Sequence, residues 1–303
     1  MDGIFNVLKP PGMTSFDVVA VLRRALQTKK IGHGGTLDPD AAGVLPVFAG
    51  SATRLLEFAV EGSKEYIVEI TLGVRTDTGD DSGLVVEELL VPELSADKIE
   101  VVLKKFLGER KQLPPMHSAV KINGTKLYQL ARQGIEVERK PREIFIHSLK
   151  LLRYSDKKLT LAVECSKGTY IRVLGEEIAA ELGTCGTMSF LLRTRVAGFC
   201  IEVAHTLQEI AVDPAACMQD SSAAVAELPS LVLTEKQACR ITSGVKTTVQ
   251  GSEDGLCALL SPEGKLLGIG KVCGQIVKAE KVLHKYESKK DLTEIRSENA
   301  TEK

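Results

Sequence analysis

The stretch GHGGTLDPDAAGVLP, from Gly32 to Pro46, decides how the rest of this sequence is interpreted. Glycine and proline at this density impose a tight, irregular path on the backbone. An aspartate before proline usually shapes a turn by accepting hydrogen bonds from backbone N–H groups, so Asp38 can be purely structural. A defined path can also hold a single carboxylate at a surface cleft. The residues alone leave both interpretations open.

Length and composition are those of an ordinary globular protein. The chain has 303 residues, of which 44% are hydrophobic and 26% are charged. This length suits one large domain or two unequal ones. No apolar run approaches the roughly 18 residues that span a bilayer, and the first ten residues, MDGIFNVLKP, lack the pattern of a secretory signal. We therefore predict a cytoplasmic protein with no membrane partner.

The cysteines and histidines predict no metal site. The seven cysteines include no C-x-x-C pair, and the five histidines include no H-E-x-x-H pair. An odd number of scattered cysteines also argues against a disulfide framework. We expect buried, reduced thiols and no bound metal.

Hydrophobic periodicity predicts an α+β fold. In KEYIVEITL, alternate residues from Tyr66 to Leu72 share one face, which is typical of a half-buried strand. EIFIHSLKLLRYS and KLTLAVECS predict a hairpin, SADKIEVVLKKFLGER and YIRVLGEEIAAELG predict helices, and Ser15 and Ser51 are candidate helix N-caps. Without regular β-α-β alternation, these elements favour a mixed, antiparallel-rich sheet flanked by helices and loops.

Three regions differ in composition. Residues 1–228 carry these strands and helices and form the predicted main domain. Residues 229–287 combine a short helix with brief strands and glycine turns, which predicts a small β-barrel-like domain. Residues 288–303 are rich in charge and poor in apolar side chains, so we expect a disordered tail.

Positive charge is concentrated in one segment of a chain whose net charge is −1. Residues 104–142 hold ten Lys or Arg against three Glu. A solvated helix face and loop would explain this, and composition alone favours that explanation. The alternative is a basic arm that binds a polyanion.

Two further side chains are candidates for a site. Tyr66 is either a core aromatic or a residue on which a base stacks. Arg172 lies in the first turn of a predicted helix, where a cation is unfavourable against the helix dipole. Such a cation usually has a carboxylate or phosphate partner, and a surface salt bridge is the commoner case.

Six motifs, in order, resemble those of the TruB-type pseudouridine synthases. They cover about residues 1–200, and they are LKPPGMTSFD, GHGGTLDPDAAGVLP, KEYIVEITLGVRTDTGDDSG, PPMHSAVKINGTKLYQLARQG, CSKGTYIRVLGEEIAAELG and LLRTRVAGF. The C-terminal region resembles a PUA domain, an RNA-binding pseudobarrel. The sequence departs from the usual family pattern at Gly34, where Thr is common, and at His117, where Tyr is common. Neither position is that of the expected nucleophile.

The resemblance implies a catalytic domain with a central cleft and an enzyme that isomerises uridine to pseudouridine at position 55, in the T-loop of tRNA. The base is flipped out, detached at N1, rotated and rejoined through C5. The Asp38 carboxylate acts either at the ribose C1′ or by helping to form a glycal intermediate. Arg172 pairs with Asp38, and Tyr66 stacks on the uracil and helps to remove the C5 proton.

The resemblance also implies the RNA contacts. His33 enters the T-loop, Leu191 lies beneath the base, and Lys9 supports the active-site strand or binds a phosphate. Within the basic arm the expected RNA-binding residues are Lys121, Lys126 and Arg132. No cofactor is needed because the reaction neither adds nor removes atoms. The implied partner is the T-arm stem-loop of tRNA, bound by a monomer without a guide RNA.

Two other functions remain open on sequence alone. A non-catalytic RNA-binding or RNA-folding protein would need only the basic arm and the PUA-like region, and a tRNA-folding role could also accompany catalysis. Retention of Asp38, Tyr66 and Arg172 argues against binding alone. A guide-RNA-dependent enzyme acting on ribosomal RNA is the third hypothesis, although the C-terminal tail is mixed in charge rather than basic.

Overall fold

The computed structural model describes residues 1–59, 61–122 and 124–287. The predicted disordered tail therefore lies outside the described residues. The strands are β1 (Gly3–Lys9), β2 (Ile31–His33), β3 (Ala42–Ala49), β4 (Lys64–Leu72), β5 (Val74–Thr76), β6 (Val85–Glu88), β7 (Gly108–Gln112), β8 (Lys121–Ile122), β9 (Thr125–Lys126), β10 (Arg142–Ser155), β11 (Lys158–Cys165), β12 (Gly186–Val196), β13 (Phe199–Cys200), β14 (Met218–Gln219), β15 (Ser230–Val232), β16 (Thr247–Thr248), β17 (Gly255–Leu260), β18 (Leu266–Cys273) and β19 (Ile276–Val282).

The helices are shorter and lie mostly at the margins of the sheets. They are α1 (Ser15–Ala25), α2 (Leu56–Ala59), α3 (Ala96–Lys104), α4 (Leu127–Ala131), α5 (Ile171–Glu181), α6 (Leu207–Val212), α7 (Pro214–Cys217) and α8 (Glu235–Thr242), with 3₁₀ turns at Gly50–Leu55, Ile201–Val203 and Ser221–Val225. None of the helices in the described part of the chain is long and apolar enough to cross a membrane.

A ten-stranded sheet organises the main part of the chain. Its order is β14-β1-β3-β12-β4-β11-β10-β7, with β13 paired to β12 and β2 paired to β3. All of these pairs are antiparallel except β3 with β12, which run parallel. The predicted α+β class with an antiparallel-rich sheet is confirmed. The parallel pair brings the start of β3 beside the middle of β12, and that junction is where the site forms.

The alternation predicted for β4 is present. Residues at even positions from Lys64 to Leu72 are buried, and the odd positions between them are partly exposed. The buried face contributes to an apolar core against which α3 and α5 pack, through Ile99 and Ile178 among others. The hairpin of β10 and β11 is also as predicted, with Asp156 at its tip in the left-handed region at φ +52°.

Both predicted helix N-caps are wrong. The N-cap of α1 is Thr14, whose side chain accepts from the backbone N–H of Asp17, and the Asp17 carboxylate accepts in return from the Thr14 N–H. This capping box leaves the next residue, Ser15, free to point inward. Ser51 falls inside a 3₁₀ turn, and its own N–H donates to the Asp2 carboxylate at 2.6 Å.

The basic segment over residues 104–142 is only partly separate from the main sheet. The predicted helix of this region, α3, ends at Lys104, and the following Gly108–Gln112 forms edge strand β7, antiparallel to β10. The sequence between β7 and β10 therefore forms the basic excursion. It contains the small hairpin of β8 and β9 and the helix α4, in which Leu127 is fully buried.

The C-terminal region forms its own five-stranded sheet, in the order β15-β17-β18-β19-β16. It has a separate apolar core that includes Ile241 from α8, and it also shares a second cluster with the main sheet, where Ile269 joins Phe48. A salt bridge of 2.7 Å between Lys281 and Glu57 crosses the same boundary. Assignment of this region as a PUA domain remains a prediction.

Candidate active site

The stretch from Gly32 to Pro46 runs from the end of β2 through an irregular turn into β3, and the turn places Asp38 opposite helix α5. The Arg172 guanidinium meets the Asp38 carboxylate with two nitrogens. Its Nε lies 3.0 Å from Oδ2, and a terminal nitrogen lies 3.4 Å from Oδ1. The carboxylate partner expected for a cation in the first helical turn is therefore present.

Arg172 is held by more than Asp38. It donates to the backbone carbonyls of Thr78 and His117, each at 2.8 Å. A second carboxylate, that of Asp80, lies 3.6 Å from its Nε. Asp80 belongs to the motif KEYIVEITLGVRTDTGDDSG but was not predicted as a site residue. An acidic turn was visible as a signal, but nothing in the sequence related it to Arg172.

The turn is fastened to β1 by a buried lysine. Lys9 is fully buried, and its Nζ donates to the carbonyls of Pro10, Pro39 and Ala41 at 2.7–2.8 Å. Placing Lys9 among RNA-binding residues is wrong, because an ammonium enclosed by three carbonyls cannot reach a phosphate. Its other predicted role, support of the active-site strand, fits the geometry. Burial lowers the pKa of Lys9 to about 8, although the charge of Asp40 opposes the shift.

A third support comes from helix α1. The Ser15 hydroxyl, released from capping, accepts from the backbone N–H of Leu37 at 2.9 Å and donates to the carbonyl of the same residue at 3.2 Å. Leu37 immediately precedes Asp38 and is itself buried. Both backbone polar groups of Leu37, its N–H and its carbonyl, are therefore hydrogen-bonded to Ser15.

A cavity of about 500 Å³ opens beside Asp38. Tyr66 from β4 and Leu191 from β12 line it together with Arg172, so the structure brings these four predicted residues to one place. Tyr66 is almost entirely buried, and burial raises the pKa of its hydroxyl to about 12. The hydroxyl is therefore protonated at neutral pH.

Arg193 is the main site residue that sequence analysis missed. It lines the same cavity but only 1% of its surface is exposed. It donates to the carbonyls of Val44 at 2.8 Å and Gly35 at 3.2 Å, which ties β12 to β3 and to the turn that carries Asp38. Gly43 lets the backbones of β3 and β12 lie this close together, because a Cβ at Gly43 would lie 2.2 Å from the Arg193 carbonyl oxygen. The φ of Gly43, +113°, also favours glycine. The LLRTRV motif was noticed in the sequence, but this arginine received no role.

The base of the basic excursion also reaches the site. Residues 117–119 line the cavity, and the His117 carbonyl is one of the Arg172 partners already described. Next to them, the Gln112 side chain donates to the Tyr170 carbonyl at 3.1 Å and accepts from its N–H at 2.7 Å. This two-way contact holds the N-cap residue of α5 to strand β7.

The other predicted RNA-binding residues lie outside the cavity. His33 ends β2 and is partly buried, and burial lowers its pKa, so the ring is neutral at pH 7. Lys121 and Arg132 are exposed and Lys126 is half-buried. Lys126 and Arg132 each lie 5.6 Å from the ring of Tyr128, near the start of α4.

Besides Arg193, three further cations that were not predicted as site residues line the cavity. They are Lys64, Arg142 and Lys167. Lys64 is 8% exposed, and burial lowers its pKa to about 8. Among the described residues, no group of three or more His, Cys, Asp or Glu side chains is arranged to hold a metal ion. The absence of a metal remains a prediction.

A carboxylate held by a buried arginine beside a tyrosine-lined cavity, on a mixed sheet of this order, is the arrangement of a pseudouridine synthase. The chain belongs to the TruB family, since it is 43% identical to a family member over 99% of that relative's length, and the model of the N-terminal domain of TruB family pseudouridylate synthases matches residues 23–171. It is 43% identical over 285 residues to tRNA pseudouridine synthase B of Caldanaerobacter subterraneus subsp. tengcongensis, covering 93% of this chain and 99% of the relative. Identity to the protein of the same name from Alkaliphilus oremlandii is 50% over 210 residues, covering 69% of this chain and 70% of the relative.

Solved structures agree with the family assignment. A crystal structure of a Cbf5-Nop10-Gar1 complex matches with a TM-score of 0.75 at 27% sequence identity, covering 94% of this chain and 87% of that chain. An H/ACA RNP bound to a substrate RNA containing 2′-deoxyuridine matches with a TM-score of 0.73, also at 27% identity, covering 93% and 85%.

Proposed function

We propose that this enzyme isomerises uridine to pseudouridine in tRNA, at position 55 of the T-loop. Relatives that share almost their full length with this chain are named tRNA pseudouridine synthase B. The observation that carries the proposal is the contact between Asp38 and Arg172 at the mouth of a cavity lined by Tyr66 and Leu191. Binding RNA without chemistry would require none of these four side chains in this arrangement.

Asp38 performs the chemical step. Its carboxylate either attacks C1′ of the flipped uridine or removes the proton from C2′ on the way to a glycal, and in both routes the C1′–N1 bond breaks and its electron pair leaves with the uracil. The base then turns, and a new bond forms between C5 and C1′ as the bond from Asp38 to C1′ breaks or, in the glycal route, as the proton returns to C2′. The C5 proton then leaves and N1 gains a proton. Arg172 orients the carboxylate, as a buried guanidinium contacting both oxygens would.

The cavity receives the base after it has left the RNA stack. Its volume lies within the range of small-molecule sites, and extrusion of a nucleotide into such a pocket is how enzymes reach a base in structured nucleic acid. Tyr66 stacks on the uracil ring, with Leu191 lining the pocket beneath it. The Tyr66 hydroxyl takes part in removing the C5 proton when the ring rejoins.

The basic excursion and the cavity rim hold the RNA backbone. Lys121, Lys126 and Arg132 contact phosphates of the T-arm, while His33 enters the T-loop beside the vacated position. The positive balance of the segment and its direct contact with Arg172, through the His117 carbonyl, both support this arrangement. The enzyme acts in the cytoplasm as a monomer, without a guide RNA or a cofactor.

A guide-dependent enzyme is the second candidate, because structures of Cbf5 complexes resemble this chain over more than nine tenths of its length. The higher identity to bacterial relatives named for tRNA favours the first candidate. The two functions differ in whether a bare hairpin is a substrate.

The test uses a short T-arm hairpin and a full unmodified tRNA transcript, each with no other RNA present. We expect pseudouridine at position 55 in both, detected by chemical mapping of the product. A hairpin with cytidine at position 55 should give no pseudouridine at neighbouring uridines. Modification that requires an added guide RNA, or that falls on another uridine, would contradict the proposal.

A further inference from the structure

Arg193 is a buried cation with no acidic partner in the described part of the chain. Its hydrogen bonds to the backbone all go to neutral groups, the carbonyls of Gly35, Thr36 and Val44. The charge of Asp38 reaches it only at longer range. Burying an unpaired charge costs folding free energy, and a neutral hydrogen-bond donor could connect the strands equally well. The charge itself therefore needs an explanation.

The neighbouring arginine on β12 shows the contrast. Arg195 lies two residues further on, yet it is 23% exposed in its side chain and pairs with the carboxylates of Glu65 and Glu164 at 2.8 and 2.9 Å. A register irregularity between Arg193 and Arg195 sends the two side chains to opposite faces, since Arg193 pairs with Tyr66 and Arg195 with Glu65. One arginine is neutralised at the surface, and the other is left charged beside the cavity.

Arg193 acts on the cavity through Tyr66. The two residues are paired across β12 and β4 and line the same cavity, and the charge of the guanidinium acts on the Tyr66 hydroxyl. A guanidinium has donors only and cannot accept the Tyr66 proton. The O–H of Tyr66 can then donate to another acceptor in the cavity. A second buried cation, Lys64, lies in the same wall.

We propose that Arg193 is a positioning residue that stabilises the departing uracil through the Tyr66 hydroxyl. The inference rests on the proposed function. When the C1′–N1 bond breaks, its electron pair gives the uracil a negative charge spread over N1 and the carbonyl oxygens. The Tyr66 O–H donates to one of those oxygens, and the buried charge of Arg193 polarises that donor. The negative charge disappears when C5 bonds to C1′, and the later loss of the C5 proton is balanced by a proton gained at N1.

The low dielectric of the site makes such a charge effective. A fixed cation in a water-excluded pocket stabilises a developing anion more than it would in water, with no reorganisation during the reaction. Removing one donor of this kind typically lowers the rate by about two to three orders of magnitude. A purely structural arginine would instead affect folding or RNA binding, with no dependence on how well the leaving group bears negative charge.

The experiment compares uridine with 5-fluorouridine at position 55 of the T-arm hairpin, under single-turnover conditions. Fluorine stabilises the uracil anion, so bond cleavage should depend less on the protein. The readout is disappearance of the original nucleoside after nuclease digestion and chromatography. We expect Arg193→Gln to react about 100-fold more slowly than wild type with uridine and about 10-fold more slowly with 5-fluorouridine. Arg195→Gln, on the same strand, should match wild type on both substrates.

An equal fall in rate on both substrates, with hairpin binding retained, would overturn the inference and leave Arg193 a structural residue. If Arg193→Gln does not fold, Arg193→Lys tests the same point, because it keeps the charge without the planar fork. That variant should react less than about 10-fold more slowly with uridine and keep the wild-type ratio between the two substrates. A fall above about 100-fold shared by both substrates would contradict the inference. A wild-type enzyme inactive on uridine would instead refute the proposed function.

Discussion

The Arg172 guanidinium is buried while the Asp38 carboxylate that it contacts stays open, with 7% and 37% of the two side chains exposed. The arginine is held in place because it also donates to the backbone carbonyls of Thr78 and His117. Asp38 is thus oriented by a fixed cation and keeps part of its surface turned to the cavity. A reactive carboxylate needs both properties, since orientation without access would leave it a structural ion pair.

Asp38→Asn should abolish pseudouridine formation and leave tRNA affinity within a few-fold of wild type. The amide has the shape of the carboxylate but neither its charge nor its nucleophilicity. Turnover is followed by quantifying pseudouridine after digestion, and affinity by filter binding. Near-normal turnover in this variant would remove Asp38 from the chemical step.

Tyr66→Phe and Tyr66→Ala should separate stacking from the hydroxyl. Phenylalanine keeps an aromatic face for the uracil, so the tRNA affinity should hold while the rejoining step slows. Alanine should also weaken engagement of the flipped base, by about 1–3 kcal/mol. Equilibrium binding and single-turnover rates for both variants provide the comparison. If the Phe variant turned over normally, the hydroxyl would have no chemical role.

Lys9→Met should destabilise the protein by about 2 kcal/mol, because three carbonyls would be left without their donor. The effect should also depend on pH. The folded pKa of Lys9 is about 8 against a usual 10.5. Between these values the unfolded chain holds a proton that the folded chain has released, so raising the pH favours the folded state.

The stability advantage of wild type over Lys9→Met should therefore be constant below a pH of about 8 and grow as the pH rises from there to 10.5. Urea unfolding of both proteins across this range measures it. Lys29→Met, at an exposed position, serves as the control and should show no such trend. A difference that stays flat up to pH 10.5 would mean that Lys9 keeps its ordinary pKa in the folded protein.

Replacing Lys121, Lys126 and Arg132 by Ala should weaken tRNA binding and flatten its salt dependence. For every phosphate that is no longer neutralised, the slope of log affinity against log salt should fall by about 0.7 to 0.9. Single-turnover chemistry at saturating tRNA should fall less than affinity, because none of these side chains lines the cavity. Filter binding between low and moderate salt supplies the slopes.

The matched control is alanine at Lys98, Lys150 and Arg153, three exposed cations on α3 and the outer part of β10. This variant removes the same amount of charge and should keep the wild-type slope. Equal slopes for both triple variants, with intact folds, would assign the basic excursion to a solvated surface remote from RNA.

The parts of the fold that depend on local patterns could be predicted from the sequence. Alternation made strand β4 recognisable because one face of it is buried along its whole length. Asp38, Tyr66, Arg172 and Leu191 were identified through motifs, and they do meet at one cavity. Helix starts were harder, because Thr14 and Ser15 are both good caps and only the inward contact of Ser15 with Leu37 decides between them.

What the sequence could not provide were contacts made by buried cations with distant carbonyls. For Lys9 the motif left support of the active-site strand and a phosphate contact both open, and Arg193 received no role. Their roles depend on β1, β3 and β12 lying side by side in the sheet, and no local sequence pattern encodes this neighbourhood. The register irregularity between Arg193 and Arg195 could not be predicted either. Side chains two residues apart on a regular strand point to the same face, so the sequence alone would place both arginines on one face.

The catalytic turn is held at one end by Lys9 and at the other by Arg193, which lies 158 residues from Gly35 along the chain. In a growing polypeptide, Asp38 therefore leaves the ribosome long before Arg193, which holds the turn around Asp38, has been synthesised. Contacts so distant in sequence form late in folding. The Asp38 turn gains its contacts with Arg193 only after β12 has been synthesised and has paired beside β3, so we expect no activity on RNA from a nascent chain that ends before β12.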